Sequence, residues 1–98
     1  MKIKATFSKT GDMRFISHLD LMRLFQRAIR RADLPVAISK GFSPHLKISI
    51  AKALKLGLES DCEELTMDMS APVEADALRR SLNNNLPEGV RIKDVKEN

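Results

Sequence analysis

Apolar and polar positions alternate from the first residues of the chain. Ile3, Ala5 and Phe7 interleave with Lys2, Lys4, Thr6 and Ser8, the period-two pattern of a strand with one buried face. Lys9-Thr10-Gly11-Asp12 follows as a turn cluster, in which Gly11 is free to take positive φ. The period then lengthens. Leu21, Leu24, Phe25, Ala28, Ile29 and Ala32 recur at helical spacing. Ser17 stands before them as an N-cap, and Asp20 sits three residues later as a variant of the capping box. Pro35 carries no N–H and disfavours helix at Leu34, so the helix stops there.

Val36-Ala37-Ile38 predicts a second extended segment. The loop Lys40-Gly41-Phe42-Ser43-Pro44-His45 interrupts it, and alternation resumes at Leu46, Ile48 and Ile50. Ala53 to Ser60 reads as a connection containing Gly57. Leu65, Met67 and Met69 alternate with Glu64, Thr66 and Asp68, which predicts another strand. A second helix is predicted over residues 75–85, with Leu78 and Leu82 inward. Asn83-Asn84-Asn85 is poor helix material and predicts fraying at its end. Pro87-Glu88-Gly89 turns the chain into a last strand through Val90, Ile92 and Val95.

The order β-α-β-β-α-β predicts an α+β, ferredoxin-like sandwich: a four-stranded sheet with two helices on one face. Residues 1–98 are the size of one such domain. On the open face, Lys2, Lys4 and Thr6 should lie beside Glu64, Thr66 and Asp68, which predicts cross-strand charge pairing. That face lacks the aromatic residues on which RNA-recognition-motif sheets stack bases.

Composition narrows the function classes. No apolar run is long enough to span a membrane, and the N-terminus does not read as a secretory signal. The single Cys62 cannot make an internal disulfide and reads as structural or incidental. Together these favour the cytoplasm. Neither nucleotide-binding glycine motif is present, nor a cysteine cluster for iron–sulfur, and no cofactor is expected.

Charge changes the picture more. Residues 1–55 hold twelve Lys and Arg against three Asp and Glu, whereas residues 56–98 hold five against ten. The asymmetry suggests one side that meets a polyanion; mutual attraction of the two halves is the plainer explanation. Arg23, Arg27, Arg30 and Arg31 fall at i, i+4, i+7 and i+8, so they line one helix face. A merely solvated face usually mixes signs, and here the only acids are Asp20 and Asp33. The Gly-Phe-Ser-Pro-His loop adds a permissive Gly41, a π-face at Phe42, a hydrogen-bonding Ser43, and donors at Lys40 and His45. The same ingredients make a plain loop with Phe42 tucked into the core. Arg14, His18 and Lys47 complete the candidate anion-binding set, with the loop folding against the start of the helix. His18 and His45 lack the further ligands of a closed metal site. As an acid–base pair they would suit RNA cleavage.

Three blocks carry a resemblance: Phe7-Ser8-Lys9-Thr10-Gly11, Arg14-Phe15-Ile16-Ser17-His18-Leu19-Asp20, and Gly41-Phe42-Ser43-Pro44-His45-Leu46-Lys47-Ile48. With Leu56-Gly57-Leu58-Glu59-Ser60 and Leu86-Pro87-Glu88-Gly89, they make the chain similar to the bacterial radical-SAM-linked family, a domain of unknown function. Ser43 stands where members commonly have Asn, and Glu74 where an Asp helix cap is common. The resemblance implies an accessory domain that works with a radical SAM protein, plausibly in RNA modification, and the N-terminal part of a longer protein. It does not imply radical SAM chemistry in this chain, which lacks the cluster cysteines. The leading expectation is therefore a binding module for RNA or another polyanion. A protein-interaction module docking on an acidic surface of the partner enzyme is the second. A small histidine-dependent RNA-processing enzyme is the third.

Overall fold

The alternation at the N-terminus becomes strand β1, Lys2–Lys9, in a computed structural model that describes residues 1–51 and 59–97. A short 3-10 turn, Gly11–Phe15, links it to helix α1, His18–Arg31. Strand β2 is Ile48–Ile50, β3 is Ser60–Asp68, helix α2 is Ala75–Asn83 and β4 is Val90–Glu97. The strands are all antiparallel, in the order β2-β3-β1-β4. This is the arrangement of a ferredoxin-like α+β sandwich. The connection read over residues 53–60 falls mostly outside the described residues, as do Leu56, Gly57 and Leu58.

One core holds the layers together. Ile3, Ala5 and Phe7 of β1, Leu65 and Met67 of β3, and Val90 and Ile92 of β4 are buried. Leu21, Phe25, Ala28 and Ile29 of α1 and Leu78 and Leu82 of α2 join them in a single cluster. Both helices therefore cover the same sheet face. Phe7 and Phe25 meet edge to face with ring centroids 4.8 Å apart, a geometry that adds about 0.5–1.5 kcal/mol to simple burial.

The open face pairs as its pattern predicts. Lys2 stands opposite Asp68, Lys4 opposite Thr66 and Thr6 opposite Glu64. The Lys4 ammonium lies 3.3 Å from the Glu64 carboxylate. None of the four phenylalanines lies on this face: Phe7 and Phe25 are in the core, and Phe15 and Phe42 belong to connections.

Strand β4 shows why Val95 breaks the alternation of Val90 and Ile92. Thr6 faces Asp94, but Phe7 faces Ile92, which leaves Lys93 as an extra residue. Such a bulge shifts the phase by one, so Val95 packs against the core rather than away from it.

The helix ends differ from the expected ones in instructive ways. Ser17 caps α1 as read, its hydroxyl accepting from the Asp20 N–H at 3.1 Å. At the far end, Asp33 takes φ 54°. The Leu34 N–H bonds the Ile29 carbonyl and the Asp33 N–H bonds the Arg30 carbonyl, the paired closure of a Schellman motif. Helix α2 stops at Asn83 rather than Asn85, so Asn84 and Asn85 fall outside it, and the run makes specific bonds instead of a loose end. The Asn83 side chain accepts from the Ile92 N–H at 2.7 Å and donates to the Ile92 carbonyl at 3.0 Å. It thereby pins the helix end to β4. Asn85 donates to the Ser81 carbonyl, and Arg91 covers the carbonyls of Asn83 and Leu86.

Candidate nucleic-acid interface

Helix α1 separates its charges from its apolar residues. Leu21, Phe25, Ala28 and Ile29 are buried, while Arg23, Arg27, Arg30 and Arg31 are exposed. Arg23 lies 3.6 Å from the Asp20 carboxylate, and both are largely exposed, so the pair contributes little. Among the described residues, Arg27, Arg30 and Arg31 have no carboxylate within 4.0 Å.

The arginines line hollows along the helix. A groove of about 470 Å³ is lined by Ile16, Asp20, Arg23, Gln26, Arg27 and Arg30. Arg30 also borders a second cavity, of about 340 Å³, with Asp33, Pro44 and His45. On the side toward α2, Arg27 and Arg31 line a third, of about 430 Å³, with Asn84 and Asn85. Arg27 and Arg30 each border two of these hollows, which succeed one another along the helix as a track lined by arginines.

The Gly-Phe-Ser-Pro-His loop closes on itself as a small hairpin. Ile38 bridges Leu46, the Ser39 N–H donates to the His45 carbonyl at 2.8 Å, and the His45 N–H donates to the Ser39 hydroxyl at 3.1 Å. His45 Nδ1 also lies 3.2 Å from that hydroxyl and 3.1 Å from the Ser43 carbonyl. His45 therefore holds the loop's shape with one ring nitrogen. Gly41 at φ 131° turns the chain, and Phe42 projects with 108% relative exposure. The reading in which Phe42 tucks into the core is overturned. An exposed Phe forgoes about 1.5–3 kcal/mol of burial, so folding stability does not account for its presence here. Lys40 and Ser43 are exposed in the same loop.

The remaining site residues divide. The loop lies against the end of α1, not its start, because Pro44 and His45 share their cavity with Arg30, Asp33 and Leu34. Arg14 and His18 stand at the opposite end, about 21 Å away along a 14-residue helix. His18 and His45 consequently cannot serve one scissile bond as acid and base, which removes the geometric basis of the histidine-pair reading. Lys47 lines a hollow with Lys2, Thr66 and Asp68. It belongs to the open sheet face rather than to the arginine track.

Two residues escape the sequence reading. Lys9 continues the odd-numbered stripe Ile3, Ala5, Phe7 and is 2% exposed, although its charge places it in a turn cluster by pattern. Its ammonium donates to the Ile16 carbonyl at 3.4 Å, tying β1 to the start of α1. Phe15 is 57% exposed, and the Arg14 guanidinium lies 4.3 Å from its ring centroid. Arg14 is itself held by the Gly11 carbonyl at 3.0 Å. Its place inside a motif block is the only sequence signal that marks Phe15.

Among the described residues, no three of His, Cys, Asp and Glu gather closely enough to hold a metal. Cys62 is exposed on β3, so it is no part of the core. Among the described residues, no helix is long and apolar enough to cross a membrane. The fold is that of a ferredoxin-like α+β domain, with four arginines exposed on α1. The chain belongs to the DUF2344 family, described as an uncharacterized protein conserved in bacteria, whose family model matches residues 2–98. No curated protein matches it.

Proposed function

We propose that the domain is an accessory module that binds RNA through the exposed face of α1 and presents it to a partner radical SAM enzyme. One observation carries the first part: Arg27, Arg30 and Arg31 face solvent with no carboxylate within 4.0 Å among the described residues. Unpaired guanidiniums in a row suit phosphate oxygens, which they meet with two parallel N–H donors. The solvent-directed Phe42, on the loop whose Pro44 and His45 line a cavity with Arg30, supplies a surface for base stacking. The resemblance of the motif blocks to the radical-SAM-linked family supports the second part. This chain's contribution is binding and orientation.

Fluorescence anisotropy of a labelled single-stranded RNA tests the binding. Neutralising several phosphates makes affinity fall steeply as salt rises, with a log–log slope of about −0.7 per contact on a single strand. A slope near zero, or no binding at about 50 mM salt, overturns the proposal. Nuclease-resistant co-purification with an acidic partner in place of RNA binding supports the protein-docking reading instead.

A further inference from the structure

Apart from Met1, which precedes β1, the large exposed apolar residues among those described stand toward the two ends of α1. Phe15 and Leu19 are exposed at the start of α1, and Ile38 and Phe42 are exposed on the segment whose Ile38, Pro44 and His45 line the cavity at its end. Leu19 lies four residues before Arg23, so it continues the arginine stripe toward Phe15.

Each ring is supported in place. Arg14 stacks against Phe15 and is anchored on the Gly11 carbonyl. Phe42 rides on a hairpin closed by Ser39 and His45. A supported, solvent-facing ring loses little conformational freedom when a flat partner stacks on it. Unpaired bases are such partners, and they stack on aromatic rings and on guanidinium planes alike. Between the rings, Arg23, Arg27 and Arg30 border this track.

Building on the RNA-binding reading, we infer that Phe15 and Phe42 are paired stacking platforms that grip a single strand at two points while the arginines hold the phosphates between them. The spacing sets a minimum ligand length. Helix α1 is about 21 Å long by its 14 residues, and a stacked strand rises about 3.4 Å per nucleotide. The strand therefore needs roughly six nucleotides to reach both rings, and fewer where it is extended. A continuous duplex keeps its internal bases paired and stacked, so it cannot offer them to either ring.

Anisotropy with single-stranded RNAs of three, six, nine and twelve nucleotides tests this, beside a twelve-base-pair duplex and the variants Phe15→Ala and Phe42→Ala. Both rings are solvent-facing, and circular dichroism verifies that the variants fold. Affinity should climb sharply between three nucleotides and six to nine, then level off. Each substitution should weaken binding of the twelve-nucleotide strand about 5- to 100-fold, as loss of one stacked base does. The duplex should bind less tightly than the single strand of equal length. Salt-dependent binding of the twelve-nucleotide strand that neither substitution weakens, or equal affinity for the duplex, overturns the two-platform inference while leaving RNA binding intact. Absence of binding at every length overturns both.

Discussion

The two helices carry arginine in different company. Helix α2 places Arg79 and Arg80 around Asp76, with guanidinium nitrogens 2.7 and 3.5 Å from its carboxylate. The hydrogen bond from Arg79, reinforced by the charges of Arg79 and Arg80, holds the Asp76 carboxyl below its ordinary value. Helix α1 has four exposed arginines, and among the described residues the one acid within 4.0 Å of them is Asp20, beside Arg23. The caps differ too: Ser17 closes the start of α1 with its hydroxyl, whereas Glu74 makes no side-chain bond at the start of α2. An arginine count alone would treat the helices as similar surfaces. Local pairing shows that α2 partners its arginines within the helix, whereas Arg27, Arg30 and Arg31 of α1 have no carboxylate within 4.0 Å among the described residues.

The largest expected effect breaks that contrast directly. Arg23→Ala, Arg27→Ala and Arg30→Ala together should weaken single-stranded RNA binding on the order of 100-fold at low salt. Arg79→Ala with Arg80→Ala should change it less than about threefold, since those groups are already paired. Comparable losses from both variants would erase the distinction. The caps give the next effect. Ser17→Ala should cost about 1 kcal/mol, read as a melting temperature lower by about 4–8 °C. Glu74→Ser should stabilise by up to about 1 kcal/mol, because it adds a cap where none exists. The smallest effect sharpens the comparison from the α2 side. Asp76→Asn releases Arg79 and Arg80 and should raise RNA affinity by about two- to threefold. The pairing of Asp76 stabilises the fold fully above pH 3.8 and loses its effect as pH falls through the lowered folded-state value. Asp76→Asn should therefore remove that part of the acid dependence, which acid titration of unfolding reads out.

Residues whose neighbours lie close in sequence were the legible ones. The alternation of Ile3, Ala5 and Phe7, the Ser17 cap and the 3.6-residue spacing of α1 all emerge as read. The pairing of Lys2, Lys4 and Thr6 with Asp68, Thr66 and Glu64 also followed, because topology and period together determine it. What stayed hidden depends on contacts across the fold. Lys9 looks like a turn residue until β1 is seen to carry it inward toward Ile16. Asn83 looks like a weak helix residue until Ile92 offers both its N–H and its carbonyl. Val95 fits no alternation until the bulge at Lys93 is counted.

The candidate site divides along the same line. The one-sided placement of Arg23, Arg27, Arg30 and Arg31 is a matter of helical geometry and was readable. The position of the Gly-Phe-Ser-Pro-His loop was not. The crossover from α1 brings that loop to the helix's end, so His45 and Arg14 belong to opposite ends of the track. The exposure of Phe15 was not legible because Phe15 sits in a short connection beside the apolar Ile16, where no periodic pattern says which of them faces inward.

The central claim is that the α1 arginines meet phosphate. Its most direct measurement is the slope of log affinity against log salt for a twelve-nucleotide single-stranded RNA, compared between the parent and the Arg23/Arg27/Arg30 alanine variant. Losing three phosphate contacts should make the slope shallower by about 2, at roughly 0.7 per contact. Identical slopes would mean that those arginines do not touch the nucleic acid, and would contradict the account.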